Sequence, residues 1–149
     1  MKVLFLDVDG VLNNWSTSEL TPDKYTGIDD FLVERLSKIV KELDLTIVLT
    51  SDWKSDWIEQ KIDGKYLDDK LAKYGLKILE RTYESFSSRR GEGIRSYLSK
   101  NKVEAYVIVD DTDFNDFTDE LEERFVMTDP MFGLSEENLD EIRKIIKSA

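Results

Sequence analysis

Cysteine and histidine are both absent from the sequence. Without cysteine, the chain can form no disulfide framework and offers no thiol nucleophile. Without histidine, it lacks the commonest general base of enzymes and the commonest zinc ligand. Any acid–base chemistry must therefore use carboxylates, lysine, tyrosine or bound water.

Long apolar runs and an excess of positive charge are also missing. No stretch has the apolar length of a membrane span, and no segment has the basic start, apolar core and cleavage site of a signal peptide. Lysine and arginine number 21 against 32 aspartates and glutamates, which gives a net charge of −11. We therefore expect a cytoplasmic protein that neither binds nucleic acid broadly nor associates with membranes. An anionic substrate remains compatible with this charge if a metal ion or local basic groups attract it.

Short apolar runs alternate along the chain with segments of helical periodicity, which predict β-strands and helices respectively. The predicted strands span 3–6, 45–49, 76–79, 105–109 and 124–127, and the predicted helices span 28–43, 55–74 with a break near Asp63-Gly64, 91–100 and 136–147. This alternation predicts a three-layer, Rossmann-like α/β fold with a central parallel sheet covered by helices on both faces. Ser135 is the expected cap of the last helix, with Leu134 packed against Leu139. The chain length favours a single domain over residues 1–149.

Polar residues follow three of the predicted strands at the points where those strands end. The first strand is followed by Asp7-Val8-Asp9-Gly10, the second by Thr50-Ser51-Asp52 and the fourth by Asp110-Asp111. The carboxyl ends of parallel strands meet at one edge of the sheet, which is where α/β proteins bind ligands. We therefore expect the three clusters to converge.

The aspartates in these clusters suit a magnesium site. Asp7 and Asp9 lie two positions apart, and Gly10 allows the chain to turn so that their oxygens converge. Asp110 or Asp111 from the neighbouring strand would add further oxygen ligands, which Mg²⁺ prefers. One metal-bound carboxylate could attack an electrophile while another transfers a proton.

Groups that bind anions accompany these carboxylates. Thr50 and Ser51 offer hydroxyl and backbone donors to an oxyanion, and Arg89 and Arg90 lie beside a helix start, where phosphate binds favourably. A metal ion, a nucleophile, hydroxyl donors and a cation together predict phosphoryl transfer.

Four segments resemble the four signatures of the haloacid dehalogenase (HAD) superfamily, in the same order along the chain. They are DVDGVL, IVLTS, RRGEGI and YVIVDDTDFND. The resemblance covers residues 1–116 and implies a HAD-like fold. No cap domain is expected, because residues 11–27 form only a loop and residues 52–104 are needed for the core.

The resemblance implies a Mg²⁺-dependent phosphatase that acts on a phosphomonoester through an aspartyl-phosphate. Asp7 would be the nucleophile and Asp9 the general acid/base. The metal would be held by Asp7, by Asp9 through its backbone carbonyl, and by Asp110 and Asp111, both of which are retained as candidates.

The same resemblance implies a phosphate-binding set and a class of substrate. Thr50, with Ser51 as a second contact, would bind the phosphate together with Arg90, or else with Arg89. Small capless members of the superfamily act on phosphorylated nucleotides, nucleic-acid ends or protein side chains. An open site of this kind suits a nucleotide or a macromolecular end.

Two other functions are weighed against this one. A receiver-like signalling domain also phosphorylates an aspartate over Mg²⁺, but it places its acidic pair on the first strand and its acceptor on a later one. Here the first strand ends in Asp-x-Asp, and no lone acceptor aspartate ends the middle strand. A catalytically silent domain of the same fold is the other alternative, and none of the four segments lacks the charge expected of it.

Several residues near these segments are expected to have structural roles. Trp57 is predicted to pack in the core, and packing is preferred for Trp15 over stacking on a nucleobase. Lys54 is predicted to lie at the surface. The polar residues within 113–116 are expected to orient ligands or to cap the following turn.

Overall fold

The computed structural model describes residues 1–148 and contains one five-stranded sheet. In chain order the elements are β1 (Lys2–Leu6), α1 (Asp30–Leu43), β2 (Leu45–Leu49), α2 (Lys54–Ile58), α3 (Ile62–Ala72), β3 (Ile78–Arg81), α4 (Arg90–Lys100), β4 (Ala105–Asp110), α5 (Asp119–Glu122), β5 (Phe125–Met127) and α6 (Glu136–Lys147). The strand order is β3-β2-β1-β4-β5, and each neighbouring pair is parallel. The predicted α/β fold with a parallel sheet is confirmed.

The side chains of the central strand β1 alternate between two buried layers. Val3 and Phe5 pack in one cluster with residues of α4 and α5, and Leu4 and Leu6 pack in a second cluster with residues of α1, α3 and α6. Adjacent residues of a strand point to opposite faces, so both faces of the sheet are covered by helices. This is the predicted three-layer arrangement.

The start of α6 agrees with the prediction. Ser135 and Asn138 form a capping box in which each side chain accepts a hydrogen bond from the other residue's backbone N–H. Leu134 and Leu139 are both fully buried in the same core cluster, as the predicted packing of the two requires.

The break predicted near Asp63-Gly64 is wrong, because the chain turns earlier, at 59–61, where Gln60 has a φ of +52°. Gly64 lies inside α3, and a Cβ at this position would lie 2.1 Å from the carbonyl oxygen of Asp56. The glycine therefore permits close packing of α2 and α3 and does not end a helix.

The third strand begins two residues later than the predicted 76–79. Gly75, with a φ of +76°, reverses the chain after α3, and the backbone N–H of Leu76 donates to the carbonyl oxygen of Leu71 at 3.0 Å. Leu76 therefore belongs to the turn that closes the helix. The short helix α5, capped by Thr118, was not predicted.

No separate cap domain occurs within residues 1–148. Residues 7–29 form loops and turns, and α3 contributes Leu67 and Leu71 to the core cluster. In the same part of the chain, no helix is both long and apolar enough to cross a membrane. No cap domain within this part of the chain therefore covers the carboxyl edge of the sheet.

Candidate active site

Backbone hydrogen bonds bring the strand ends into register at the carboxyl edge of the sheet. The N–H of Asp7 donates to the carbonyl oxygen of Val109 at 3.0 Å, and the N–H of Thr50 donates to that of Leu6 at 2.8 Å. The parallel pairing thus continues one residue beyond β1 and β2. As a result, Asp7 and Thr50 begin their loops side by side with Asp110, the last residue of β4.

Three carboxylates meet at this edge. Asp7, Asp110 and Asp111 each offer an oxygen, and these oxygens lie within 4.8 Å of one another. Asp7 and Asp110 are almost completely buried. Carboxylate oxygens that converge in this way fit Mg²⁺, which prefers hard oxygen ligands and retains water at its open positions.

The electrostatics of the group favour a bound cation. Burial, opposed in part by Arg90, raises the pKa of Asp7 to about 6. Burial and the nearby charge of Asp7 raise the pKa of Asp110 to about 9. Both raised pKa values mean that burial and mutual repulsion destabilise the ionised carboxylates. A divalent cation bound between them would stabilise the ionised forms.

Arg90 lies at the centre of the group. One guanidinium nitrogen, Nη1, lies 3.0 Å from Oδ2 of Asp110 and 3.4 Å from Oδ1 of Asp7, and Nη2 lies 3.4 Å from Oδ1 of Asp52. The guanidinium carbon sits 4.6 Å from the ring centre of Phe114. The structure therefore brings Arg90 together with the acidic residues.

Arg89 points elsewhere. Its side chain is half-exposed and pairs with Glu92 at 3.3 Å and with Asp116 at 3.7 Å. Asp116 also accepts hydrogen bonds from the backbone N–H groups of Gly91 and Glu92, at 3.0 and 2.9 Å. Asp116 thus caps the start of α4, an earlier element and not the following turn that was predicted for it, and it occupies backbone donors that a phosphate at the helix start would use.

The hydroxyl of Thr50 is buried beside the acidic group, and Oγ1 has no hydrogen-bond partner among residues 1–148. A buried hydroxyl without a hydrogen bond destabilises the fold unless a ligand forms a hydrogen bond with it. Ser51 is buried too, and its Oγ accepts a hydrogen bond from the N–H of Trp53 at 3.2 Å. Ser51 lines the same 370 Å³ cavity as Asp7 and Arg90.

The side chain of Asp9 is held apart from the three grouped carboxylates. Its Oδ1 accepts a hydrogen bond from Nδ2 of Asn13 at 2.9 Å, and its Oδ2 accepts one from Nε1 of Trp53 at 3.1 Å. Asn13 also accepts from the N–H of Gly10 at 2.9 Å. Sequence reasoning missed Asn13 and the hydrogen bond of Trp53, and only the Asn-Asn pair after the first segment could have drawn attention to Asn13.

Gly10 is required by both its conformation and its neighbour. Its φ is +79°, and a Cβ would lie 2.2 Å from Oδ2 of Asp111. The backbone of Gly10 is fixed further because its carbonyl oxygen accepts a hydrogen bond from the hydroxyl of Thr128 at 2.8 Å. The absence of a side chain at Gly10 thus allows Asp111 to approach the loop after β1.

The prediction that Lys54 lies at the surface is wrong. Its side chain is buried, with Nζ 2.7 Å from Oε1 of Glu84 and 3.3 Å from the carbonyl oxygen of Thr50. Burial lowers the pKa of Lys54, although Glu84 opposes the shift. The buried ion pair therefore holds the backbone of Thr50 through the hydrogen bond from Nζ of Lys54 to the Thr50 carbonyl oxygen.

The two tryptophan predictions have opposite outcomes. Trp57 packs against the core cluster as predicted, and its Nε1 donates to Oδ1 of Asp68 at 2.8 Å. The packing role preferred for Trp15 is wrong, because 72% of that side chain is exposed. Trp15 instead lines a second, larger cavity of 720 Å³ that borders Asp9.

The parallel sheet, its central Asp-x-Asp strand and the acidic residues that end β4 define a HAD-like domain. A family model described as the HAD domain in Swiss Army Knife RNA repair proteins matches residues 3–139. The chain belongs to this family, and hence to the HAD superfamily that its four segments resemble. No curated protein matches the chain at a significant level.

Proposed function

We propose that the protein is a Mg²⁺-dependent phosphomonoesterase that acts through an aspartyl-phosphate on the phosphorylated end of a nucleic acid or on a nucleotide. The observation that carries the proposal is the group formed by Asp7, Asp110, Asp111 and Arg90, with the unpaired hydroxyl of Thr50 beside it. Membership of a HAD family found in RNA repair proteins supports a phosphoesterase.

Asp7 is the proposed nucleophile. An oxygen of its carboxylate attacks phosphorus, and the bond from phosphorus to the leaving oxygen breaks. Asp9 gives its proton to that leaving oxygen. In the second step Asp9 takes a proton from water, the water oxygen attacks phosphorus, and the bond to Asp7 breaks to release inorganic phosphate.

The proposed phosphate-binding residues are Arg90, Ser51 and Thr50. Arg90, which supplies positive charge, and Ser51 line the smaller cavity, and Thr50, next to Ser51 in the chain, supplies its unpaired hydroxyl. Asp7, Asp110, Asp111 and the backbone carbonyl of Asp9 are the proposed metal ligands. Bound Mg²⁺ would neutralise the carboxylates and the charge that develops on the transferring phosphoryl group.

An end of a nucleic acid suits this chain better than a long stretch of it. The net charge of −11 opposes broad binding to a polyanion. The site is open because no cap domain covers it within residues 1–148, so a macromolecular end can reach Asp7 with only local contacts. The description of the family, which names RNA repair proteins, favours a nucleic-acid end over a phosphorylated protein side chain.

The experiment is a substrate screen with a matched variant. Oligoribonucleotides phosphorylated at the 5′ or 3′ end, free nucleotides and a phosphopeptide are incubated with the protein, with Mg²⁺ or with a chelator. We expect phosphate release from the nucleic-acid ends or nucleotides in Mg²⁺ only, and none from Asp7→Asn. Asp140→Asn, which makes the same change at an exposed position of α6, serves as the control. Turnover in chelator, or turnover by Asp7→Asn equal to wild type, would contradict the proposal.

A further inference from the structure

Two large aromatic side chains of the loop between β1 and α1 are exposed to solvent. Trp15 is 72% exposed and Tyr25 is 70% exposed, and both line the 720 Å³ cavity. A third aromatic residue of the same wall, Trp53, stacks on Tyr66 with ring centres 6.4 Å apart and an interplanar angle of 25°. Single exposed aromatic residues are common, but several facing one cavity indicate a binding surface.

The charge of this cavity excludes one class of occupant. Asp52, Asp56 and Asp63 line it together with Asp9, and none of the described lining residues is lysine or arginine. A phosphate group placed there would be repelled. Carboxylate and amide oxygens accept hydrogen bonds, so the cavity suits a neutral aromatic group that carries N–H donors. The exocyclic amino groups and ring N–H groups of nucleobases are donors of this kind.

The position of the cavity connects it to the chemistry. It shares Asp9 and Asp52 with the smaller cavity that contains Asp7 and Arg90. One molecule could therefore place a phosphate against Arg90 and an attached ring against Trp15. The volume of the larger cavity, 720 Å³, also lies in the range of about 300–1,000 Å³ that is typical of small-molecule sites.

We propose that the larger cavity binds the base of the phosphorylated terminal nucleotide, with Trp15 and Tyr25 as its stacking surfaces. The proposal rests on the phosphatase function proposed above. Stacking on aromatic side chains tolerates every base, since each has a π-face. The carboxylates of the cavity would favour bases with an exocyclic amino group. Because the carboxylates of the cavity repel phosphate groups, the rest of the nucleic-acid backbone must extend away from this cavity.

The kinetic test compares substrates that differ only in the base. Oligoribonucleotides phosphorylated at the 5′ or the 3′ end carry either adenine or an abasic site at the terminal nucleotide. The readout is the ratio of kcat/KM between the two. We expect Trp15→Ala and Tyr25→Ala each to lower this ratio about tenfold, because removal of a stacking ring has effects of that order. Trp15→Phe, which retains a ring, should keep most of the ratio.

Phe31→Ala is the matched control, because Phe31 is an exposed aromatic residue of α1 that lines neither cavity. It should leave the ratio as in wild type. If Trp15→Ala lowers kcat/KM equally for the two substrates, or for neither, the cavity does not bind the base and the inference is wrong.

A binding measurement separates this inference from the phosphatase function. Isothermal titration of Asp7→Asn with the same oligoribonucleotides needs no turnover. Tighter binding of the adenine substrate that is lost with Trp15→Ala supports the base site even if no phosphate is ever released. Turnover without discrimination between the two substrates overturns the base site and leaves the phosphatase function standing. Neither turnover nor base-dependent binding would overturn both.

Discussion

The indole nitrogen of Trp53 donates a hydrogen bond to Oδ2 of Asp9 at 3.1 Å. The amide of Asn13 holds the other oxygen of the same carboxylate at 2.9 Å. The proposed acid/base is therefore oriented from both sides, and both of its partners line the cavity of the proposed base site. We therefore expect a link between occupancy of that site and the position of Asp9, in part through Trp53.

Trp53→Phe tests this link because it removes the N–H and retains an aromatic ring. Hydrogen bonds to charged groups contribute about 1.5–3 kcal/mol, so we expect kcat to fall by about tenfold or more. The loss of kcat/KM, which reports the first step, should be larger for an alkyl phosphate than for an aryl phosphate, because only the former needs a proton on its leaving oxygen. Steady-state kinetics with both substrates would measure it. An equal loss of kcat/KM with both would mean that Trp53 supports the fold and not the orientation of Asp9.

Gly10→Ala should disrupt the proposed metal site. The substitution places a Cβ 2.2 Å from Oδ2 of Asp111, in a backbone with a φ of +79°. The positive φ alone would destabilise an alanine at this position by about 1–3 kcal/mol. We expect a lower melting temperature and, in addition, weaker Mg²⁺ binding and lower activity, because Asp111 must move.

Gly75→Ala is the control for Gly10→Ala. Gly75 has a φ of +76°, and a Cβ there would meet only the flexible end of Lys41, at 3.3 Å from Nζ. This variant should lose stability to a similar extent but keep its Mg²⁺ affinity. If both variants lose Mg²⁺ binding equally, general destabilisation explains the effect of Gly10→Ala.

Without metal, the stability of the protein should depend on pH through Asp110. Burial and the charge of Asp7 raise the pKa of this carboxyl from 3.8 to about 9. The folded protein therefore holds a proton that the unfolded chain releases, and this contribution to the free energy of unfolding is lost as the pH rises from about 4 to about 9. Asp110→Asn stays neutral throughout. In chelator it should be more stable than wild type, by a margin that grows across this interval in thermal melts.

Mg²⁺ should reduce the difference in stability between these two proteins. Bound at the proposed site of the folded state, the ion would stabilise the wild type by about 2.7 kcal/mol at a concentration of about one hundred times Kd. Asp110→Asn, which lacks a proposed ligand, should gain much less. A variant and wild type that respond equally to pH and to Mg²⁺ would show that Asp110 neither repels Asp7 nor binds metal.

The convergence of the acidic residues could be predicted from the sequence because it depends on local rules. Apolar runs that end in Asp7 and Asp110 read as parallel strands, and parallel strands place their ends at one edge. Arg90 could be named as a candidate because it precedes a helix of clear periodicity. The choice between Arg90 and Arg89 could not be made, since it depends on which side chain the first turn of α4 directs towards the sheet.

Lys54 and Trp15 were beyond prediction for a different reason. Lys54 owes its role to a partner distant in sequence, and Trp15 owes its role to a cavity made by several loops. Lys54 is buried because Glu84, thirty positions later, neutralises it. When the contacts of a residue are unknown, the statistical expectation is that a lysine is exposed and a tryptophan is mostly buried. Lys54 and Trp15 both depart from this expectation.

The roles of the two aspartates after β1 can be separated by trapping the intermediate. If Asp7 attacks phosphorus, Asp7→Asn eliminates the covalent step and leaves essentially no turnover. Asp9→Asn removes the proposed base that activates water, while an aryl phosphate still allows the first step because its leaving group needs no proton. Phosphate should therefore accumulate on Asp9→Asn, seen by intact mass as a gain of about 80 Da.

Peptide mapping decides which carboxylate carries that phosphate. Asp7 is the expected position, because it lines the same cavity as Arg90 and Ser51. The double variant with both Asp7→Asn and Asp9→Asn should take up no label, and Asp140→Asn should turn over without accumulating it. A label on Asp110 or Asp111 would reassign the nucleophile to β4. If Asp9→Asn turns over as fast as wild type and accumulates nothing, then Asp9 does not activate the water, and the hydrogen bonds from Trp53 and Asn13 serve only to hold the loop after β1 in place.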